Sequence, residues 1–379
     1  MTYADIKASL PTTQGIKGRS MFKTKIKRIA PAAAALFVTI ASPAMAGAEI
    51  ETSASEALVY ETSITKAKTL MVKNPGAALD LARGAKHLIE GEEGNATRDR
   101  LTANWLEGEA LLRLNRSEEA ATVIRPALAT ASRSFAEEKI YADLLRSAAS
   151  LEGRTGNSSQ ALAFFVLAEE RYERLGDARS QAIVLQNIGS LYSRAGEYEE
   201  TLRYYSKAAE VYSDDAILSL SAHNNIGNAL RDMGRFADAQ SEFGKALEIA
   251  GKMKSPLLKA RILTNVAAAE RLMGEGDAAE QTANRALALA EEHAPDWKPF
   301  IYGVLAQVEL DRGNLDKADE FISLTFANVP LNTTNALFRD FHQTATEIFT
   351  RNGKADLAGL HTSAIDRLDR EAGEVKLNV

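Results

Sequence analysis

The tightest constraint on this chain is a pattern that occurs twice in tandem between residues 185 and 250. The first copy reads LQNIGSLYSRAGEYEETLRYYSKAAEVY, from Leu185 to Tyr212, and the second HNNIGNALRDMGRFADAQSEFGKALEIA, from His223 to Ala250. In the first copy Ile188, Gly189 and Tyr192 are spaced to share one face of a helix. Gly196 follows, the residue type that most readily takes the left-handed conformation at a helix end. Thr201, Tyr205 and Ala208 then come at spacings of four and three, the buried stripe of a second helix. The second copy places Ile226, Gly227, Leu230, Gly234, Phe236, Ala239, Phe243 and Ala246 in the same slots. Small residues at Gly189 and Gly227, and at Ala208 and Ala246, let two helices approach to about 8–10 Å while the aromatic rings fill the remaining space. One such hairpin cannot bury its own apolar face, so the pattern predicts neighbours stacked against it.

The turn recurs. Equivalent turns are expected at Lys73-Asn74, Asn115, Gly156, Gly196, Gly234, Gly274, Gly313 and Gly353, at intervals of 38–42 residues. The second helix repeats its small residue at Ala78, Ala120, Ala161, Ala239, Ala279, Ala318 and Ala358, with Thr201 the exception. A later small slot holds Ala85, Ala127, Ala168, Ala208, Ala246 and Ala286. Eight hairpins therefore account for roughly residues 56–370. Proline is scarce, with 9 in 379 residues, and no β-rich run interrupts the pattern, which favours an all-α chain. Pro330 breaks the chain before the last hairpin.

The series Gly/Ala, Tyr, Gly, Tyr/Phe, Ala, Tyr/Phe, Ala resembles the motif of the tetratricopeptide repeat (TPR) family. The period here is near 40 rather than that family's usual 34. The family's frequent first-helix Trp is Leu145, Leu185, His223 or Tyr302 in this chain. The resemblance implies a right-handed α-solenoid of about eight hairpins over residues 47–379, with first helices lining a concave groove.

In such a groove the residue just before the Ile-Gly pair points inward. It is Asn187, Asn225 and, ahead of Val266-Ala267, Asn265; Asn224 and Asn228 extend the row. An amide has two donors and an acceptor, so a ladder of amides can hold the backbone of an extended peptide without reading its sequence. Arg194, Arg231 and Arg271 lie further along the same helices, with Arg154 in the preceding repeat, placed to pair with acidic side chains or a C-terminal carboxylate. The structural alternative is that the amides only tie neighbouring helices together and the arginines form a solvated face.

Residues 21–46 read as a secretory signal: a basic stretch with Lys23, Lys25, Lys27 and Arg28, an apolar run Ile29–Ala41, and Ala44-Met45-Ala46 as cleavage site. Met21 is a candidate start. Thirteen apolar residues fall short of the ~20 that a membrane span needs. Cleavage takes the net charge from −6 to −12, which disfavours nucleic acid and anionic membrane as partners. A periplasmic or secreted location follows from this reading.

No enzyme chemistry is expected. Cysteine is absent, which removes disulfides, thiol catalysis, thiolate-bound zinc and lipid-modified cysteine together. His87, His223, His293, His342 and His361 are assigned to different repeats at no metal-ligand spacing, and no cofactor or metal is expected. Gly274-Glu275-Gly276 shares only its glycines with a phosphate loop, since no Lys-Ser/Thr follows. The expected function is a non-enzymatic scaffold holding an extended peptide or a partner helix. The alternative is a signal sensor, because GAALDLARGA and LEGEALLRLNRSEEAA resemble the periplasmic repeat domains of diguanylate cyclases and sensor kinases.

Overall fold

The computed structural model describes residues 43–89 and 96–372. The bulk of the signal-like stretch, the Gly91–Gly94 connector and the tail after Ala372 lie outside them. Among the described residues there are sixteen α-helices, three short 3-10 turns and no strand. The helices pair into eight hairpins, as the spacing predicts. They fall into two compact units, one ending at Ala136 and the other starting at Glu137.

The first unit holds α1 (Pro43–Leu70), α2 (Pro75–Leu88), α3 (Ala96–Arg113) and α4 (Ser117–Ser134). Its first turn is built differently from the expected one. Asn74 has φ −149° rather than a left-handed conformation; its side chain caps α2 by accepting from the Ala77 N–H at 3.1 Å, and Pro75 starts the helix. Glu107 is buried between Arg83 Nε at 2.8 Å and Lys86 Nζ at 2.9 Å. Burial pushes its carboxyl up, but the hydrogen bonds from Arg83 and Lys86 outweigh burial and hold it below the usual carboxylate range.

The second unit holds six hairpins: α5 (Lys139–Arg154) with α6 (Ser158–Leu175), α7 (Ala178–Arg194) with α8 (Tyr198–Val211), and α9 (Ala216–Asp232) with α10 (Phe236–Lys252). Then come α11 (Pro256–Leu272) with α12 (Gly276–His293), α13 (Lys298–Asp311) with α14 (Leu315–Phe326), and α15 (Arg339–Arg351) with α16 (Ala355–Ala372). The turn inside each hairpin has one construction. At Gly196 (φ +75°) the Gly N–H donates to Ser193 O and the Glu197 N–H to Tyr192 O, at 3.1 and 3.0 Å. These bonds satisfy carbonyls that the end of α7 leaves open. The same long bond recurs from Asn157 to Glu152, Arg235 to Leu230, Glu275 to Glu270 and Asn314 to Glu309. Two further left-handed residues, Gly176 (φ +68°) and Lys254 (φ +52°), end the second helices α6 and α10, outside the repeat of turn glycines.

The small residues do what their spacing requires. All the repeating alanines named above are buried, none more than 8 % exposed. A Cβ on Gly189 would come within 3.2 Å of the Tyr205 ring, and one on Gly227 within 2.6 Å of the Phe243 ring, so those glycines set how closely the helix pairs approach. Between hairpins, α7 packs on α9, α9 on α11, α11 on α13 and α13 on α15, while no two successive second helices meet to the same extent. The first helices therefore lie on the inside of the curve in this unit.

The last hairpin departs from the others. After Pro330 the chain makes two 3-10 turns, Leu331–Thr333 and Ala336–Phe338, before α15. His342 on α15 and His361 on α16 belong to this one hairpin rather than to separate repeats, and their Nδ1 atoms lie 2.7 Å apart in its core. The period of the pattern counts turns; it does not register that a helix and its return partner bring two distant positions together.

Candidate functional site

Because the first helices face inward, their half-exposed stripes form the inner wall of the second unit. On α7 the stripe is Asn187, Ser190 and Arg194, at spacings of three and four; on α9 it is Ser221, Asn224, Asn225 and Asn228; on α11 it includes Asn265. The structure joins part of this row into a chain. Asn265 Nδ2 donates to Asn224 Oδ1 at 2.8 Å, Asn224 Nδ2 to Asn225 Oδ1 at 3.2 Å, and Asn225 Nδ2 to the Tyr205 hydroxyl at 3.1 Å. Three helices, α8, α9 and α11, are thereby tied across three successive hairpins. Burial pushes the Tyr205 hydroxyl up to about 12, against hydrogen bonds with Ser190 and Asn225.

Two amides stand outside that chain. Asn187 makes no side-chain hydrogen bond among the described residues. Asn228, one turn beyond Asn224, keeps a buried Oδ1 with no partner. An orphaned buried amide oxygen costs roughly 1–3 kcal/mol unless something supplies a donor.

The arginines separate as well. Arg231 is held by Asp232, Nε to Oδ1 at 2.8 Å, and Arg271 by Asp311, Nη1 to Oδ2 at 2.7 Å, although the Arg271 Nε is buried without a partner. Arg154 is exposed at the end of α5 and engaged within the structure. Arg194 has neither an ion pair nor a hydrogen bond among the described residues. The residue is exposed overall, but its guanidinium lies toward Gly153 of α5, with Nη2 3.7 Å from where a Cβ on that glycine would sit. Desolvation there lowers its pKa, and the nearby Tyr205 only partly offsets this.

The Gly274–Gly276 turn borders an open cleft with Arg271, Asp277, Asp311 and Arg312, whose charges already pair with one another: Arg312 Nη2 lies 2.6 Å from Asp277 Oδ1. It is a turn, not a phosphate cradle. Trp297 stacks on Phe300 at 4.2 Å and donates to Thr264 Oγ1 at 3.1 Å, a packing role. Among the described residues no group of three or more His, Asp or Glu is arranged to hold a metal, and no helix is long and apolar enough to cross a membrane. The pattern of amides was legible in the sequence. The part played by the Tyr205 hydroxyl was not, because its ring reads simply as core.

Stacked helical hairpins with a polar inner stripe define a helical-repeat protein. The tetratricopeptide repeat model matches residues 180–252, the stretch where the motif is strongest. That stretch is tetratricopeptide repeat, and the hairpins around it make the chain a TPR-like helical-repeat protein. Regulatory protein RapF of Bacillus subtilis is 25 % identical over 167 residues, covering 43 % of this chain and 44 % of RapF. Human Protein O-mannosyl-transferase TMTC3 is 24 % identical over 221 residues, covering 52 % of this chain and 23 % of that protein. The chain thus matches under half the length of either relative. Among solved structures, the apo form of the quorum sensor NprR from B. thuringiensis superposes with a TM-score of 0.64 at 14 % identity, over 82 % of this chain and 87 % of that one. NprR in complex with its cognate peptide NprX gives 0.56 at 14 % identity, over 82 % and 88 %. These likenesses establish the fold.

Proposed function

We propose that the inner wall of the second unit binds an extended peptide, and that the protein is a non-enzymatic scaffold acting in the periplasm. The observation that carries this reading is the inward row of amides on α7, α9 and α11, in which Asn187 is half-exposed with no side-chain hydrogen bond among the described residues and the Oδ1 of Asn228 is without a partner, beside amides that are already locked together. A peptide backbone alternates the donors and acceptors that such groups lack. The NprR fold, similar to this one, has been crystallised with a peptide, which supports the reading by analogy of fold. The location rests on the signal-like sequence of residues 21–46.

The test is peptide capture by the protein carrying Asn187→Ala and Asn228→Ala together. Capture weakens by about tenfold or more while the helical circular dichroism is unchanged. Asn225→Ala is the contrasting variant: it removes the bond to the buried Tyr205 hydroxyl and lowers stability by about 1 kcal/mol, with a smaller effect on capture. Undiminished capture by the double variant sinks the proposal. For the location, fractionation of cells making the full chain places the protein in the periplasm, shortened at its N-terminus; an unshortened protein in the cytosol overturns that part.

A further inference from the structure

On the outer side of the second unit, each first helix forms the floor of a groove between its own second helix and that of the hairpin before. In the groove over α7, walled by α6 and α8, a carboxylate sits between two donors. Glu169 Oε1 accepts from Gln181 Nε2 at 2.7 Å and from Lys207 Nζ at 3.0 Å. Glu169 is only 8 % exposed, so these donors replace water around its charge. Counted from the turn glycines, Glu169 is thirteen residues after Gly156, Gln181 fifteen before Gly196, and Lys207 eleven after Gly196. Two hairpins further on, the same three positions are Leu247, Lys259 and Arg285. They line one cavity of about 570 Å³ over α11, between α10 and α12, together with Leu263, Ala288 and Leu289. Both donor positions are now cations, and the acid between them has become an aliphatic chain.

No other acid takes over. In the intervening groove over α9, Lys245 stands where Lys207 and Arg285 stand, and it pairs with Glu242 at 2.6 Å; Glu242 also meets His223 at 2.6 Å. The positions of Glu242 and His223 are occupied beside Arg285 by Thr282 and Leu263. Both acids that balance this cation in the two preceding hairpins are therefore replaced in the same place. Lys259, half-buried, and Arg285, exposed, have no ion pair and no side-chain hydrogen bond among the described residues. Arg285 acts on Glu270 only at longer range. Acids are not scarce in this chain, at 51 against 45 basic residues. Two like charges on one cavity repel each other, and a carboxylate between them relieves that. Leu247, Leu263 and Leu289 favour an aliphatic body next to it. The volume lies within the roughly 300–1,000 Å³ of small-ligand sites.

We propose that the cavity between α10 and α12 binds an aliphatic carboxylate, with its charge between Lys259 and Arg285 and its chain against Leu247, Leu263 and Leu289. The ligand supplies the group that Glu169 supplies in the groove over α7. The cavity lies across the first helices from the amide row, so its ligand is independent of any peptide on the inner wall.

The probes are octanoate, 1-octanol and butyrate, each titrated calorimetrically into the full-length protein. Octanoate binds at least about tenfold more tightly than the other two, because 1-octanol lacks the charge and butyrate most of the apolar chain. Lys259→Gln together with Arg285→Gln brings octanoate down to the level of 1-octanol. Leu247→Glu puts a carboxylate of this chain where Glu169 has its own, and octanoate binding is lost while the melting temperature is unchanged or higher. That variant separates closing of the site from loss of the fold. No saturable binding of octanoate, binding equal to that of 1-octanol, or binding that Leu247→Glu leaves intact overturns the proposal. The remaining arm is an amphipathic helical peptide of Leu and Glu, blocked at both ends. If it binds, Leu247→Glu abolishes its binding and octanoate does not bind, the groove belongs to an acidic protein partner and the proposal fails.

Discussion

At the scale of single residues, the repeats provide their own controls. In hairpins with a Glu near the end of the first helix and an Asn after the turn, the two side chains bond: Asn157 Nδ2 to Glu152 Oε2 and Asn314 Nδ2 to Glu309 Oε2, each at 2.7 Å. The hairpin of α11 and α12 keeps the Glu, as Glu270, but has Glu275 where the amide should be. Glu270 Oε2 is accordingly buried without a partner. Burial raises its pKa first, and the like charge of Glu275 adds to that, against a hydrogen bond from Thr282. The backbone is the same in all three turns, as the matching long turn bonds show. Glu275→Asn is therefore expected to stabilise the protein by about 1 kcal/mol, through a new donor and the loss of a like charge. Chemical denaturation of the two proteins side by side measures it; an unchanged or lower midpoint means the buried oxygen is satisfied in some other way.

At the scale of the element, the last hairpin carries the clearest pH dependence. His342 and His361 are buried, at 0 % and 4 % exposure, and share a proton position between their Nδ1 atoms. Thr334 donates to Leu331 O and accepts from Arg367, so His342 Nε2 is the donor to the Thr334 hydroxyl and its Nδ1 accepts from His361. Both rings are neutral in this network. Burial holds each pKa down to about 4, helped for His342 by Arg367 and for His361 by its partner ring. An unfolded histidine titrates near 6.5, so as pH falls below that value the unfolded chain takes up protons that the folded hairpin refuses. The stability is present above pH 6.5 and is lost as pH falls from 6.5 toward 4. By pH 5 the loss is on the order of 2 kcal/mol for each of the two histidines. Amide exchange at pH 7 and pH 5, corrected for intrinsic rates, shows faster opening of these two helices and little change in α11 and α12. Equal change in both regions would refute the assignment.

At the scale of the whole molecule, each hairpin of the second unit packs mainly on its sequence neighbours, so stability is a sum of local interfaces. Ile348, fully buried in α15, tests this. Ile348→Ala is expected to cost about 2–4 kcal/mol in the last hairpin. Amide protection in α7 to α10 stays within error of wild type. Uniform loss of protection from α5 to α16 would show one cooperative core instead.

How much of this was legible beforehand depends on the range of the interaction. The repeating alanines and turn glycines were readable because helix spacing and a left-handed turn are local demands that particular side chains meet at a fixed period. Gly189 against Tyr205 and Gly227 against Phe243 were readable for the same reason, since each pair belongs to one hairpin. Lys254 was not, because a left-handed residue without glycine leaves no mark in the pattern. Nor was the meeting of His342 with His361, which depends on the irregular turns after Pro330. The asparagine row was visible as a row, but the sequence alone did not divide its members. Side-chain direction and the reach of neighbouring helices linked Asn224, Asn225 and Asn265, gave Asn187 no side-chain hydrogen bond among the described residues, and left the Asn228 Oδ1 without a partner. The same is true of the arginines, four of one type at similar places: Arg231 pairs with its neighbour Asp232 and Arg271 with Asp311 of the next hairpin, while Arg194 has no ion pair among the described residues. Sequence by itself determined the helices, most of the turns within hairpins and the stacking order, because those follow from neighbours along the chain. Tertiary structure decided which polar groups remain unpaired on the inner wall, because satisfaction of a donor or a charge is settled by what another part of the chain brings within about 3 Å.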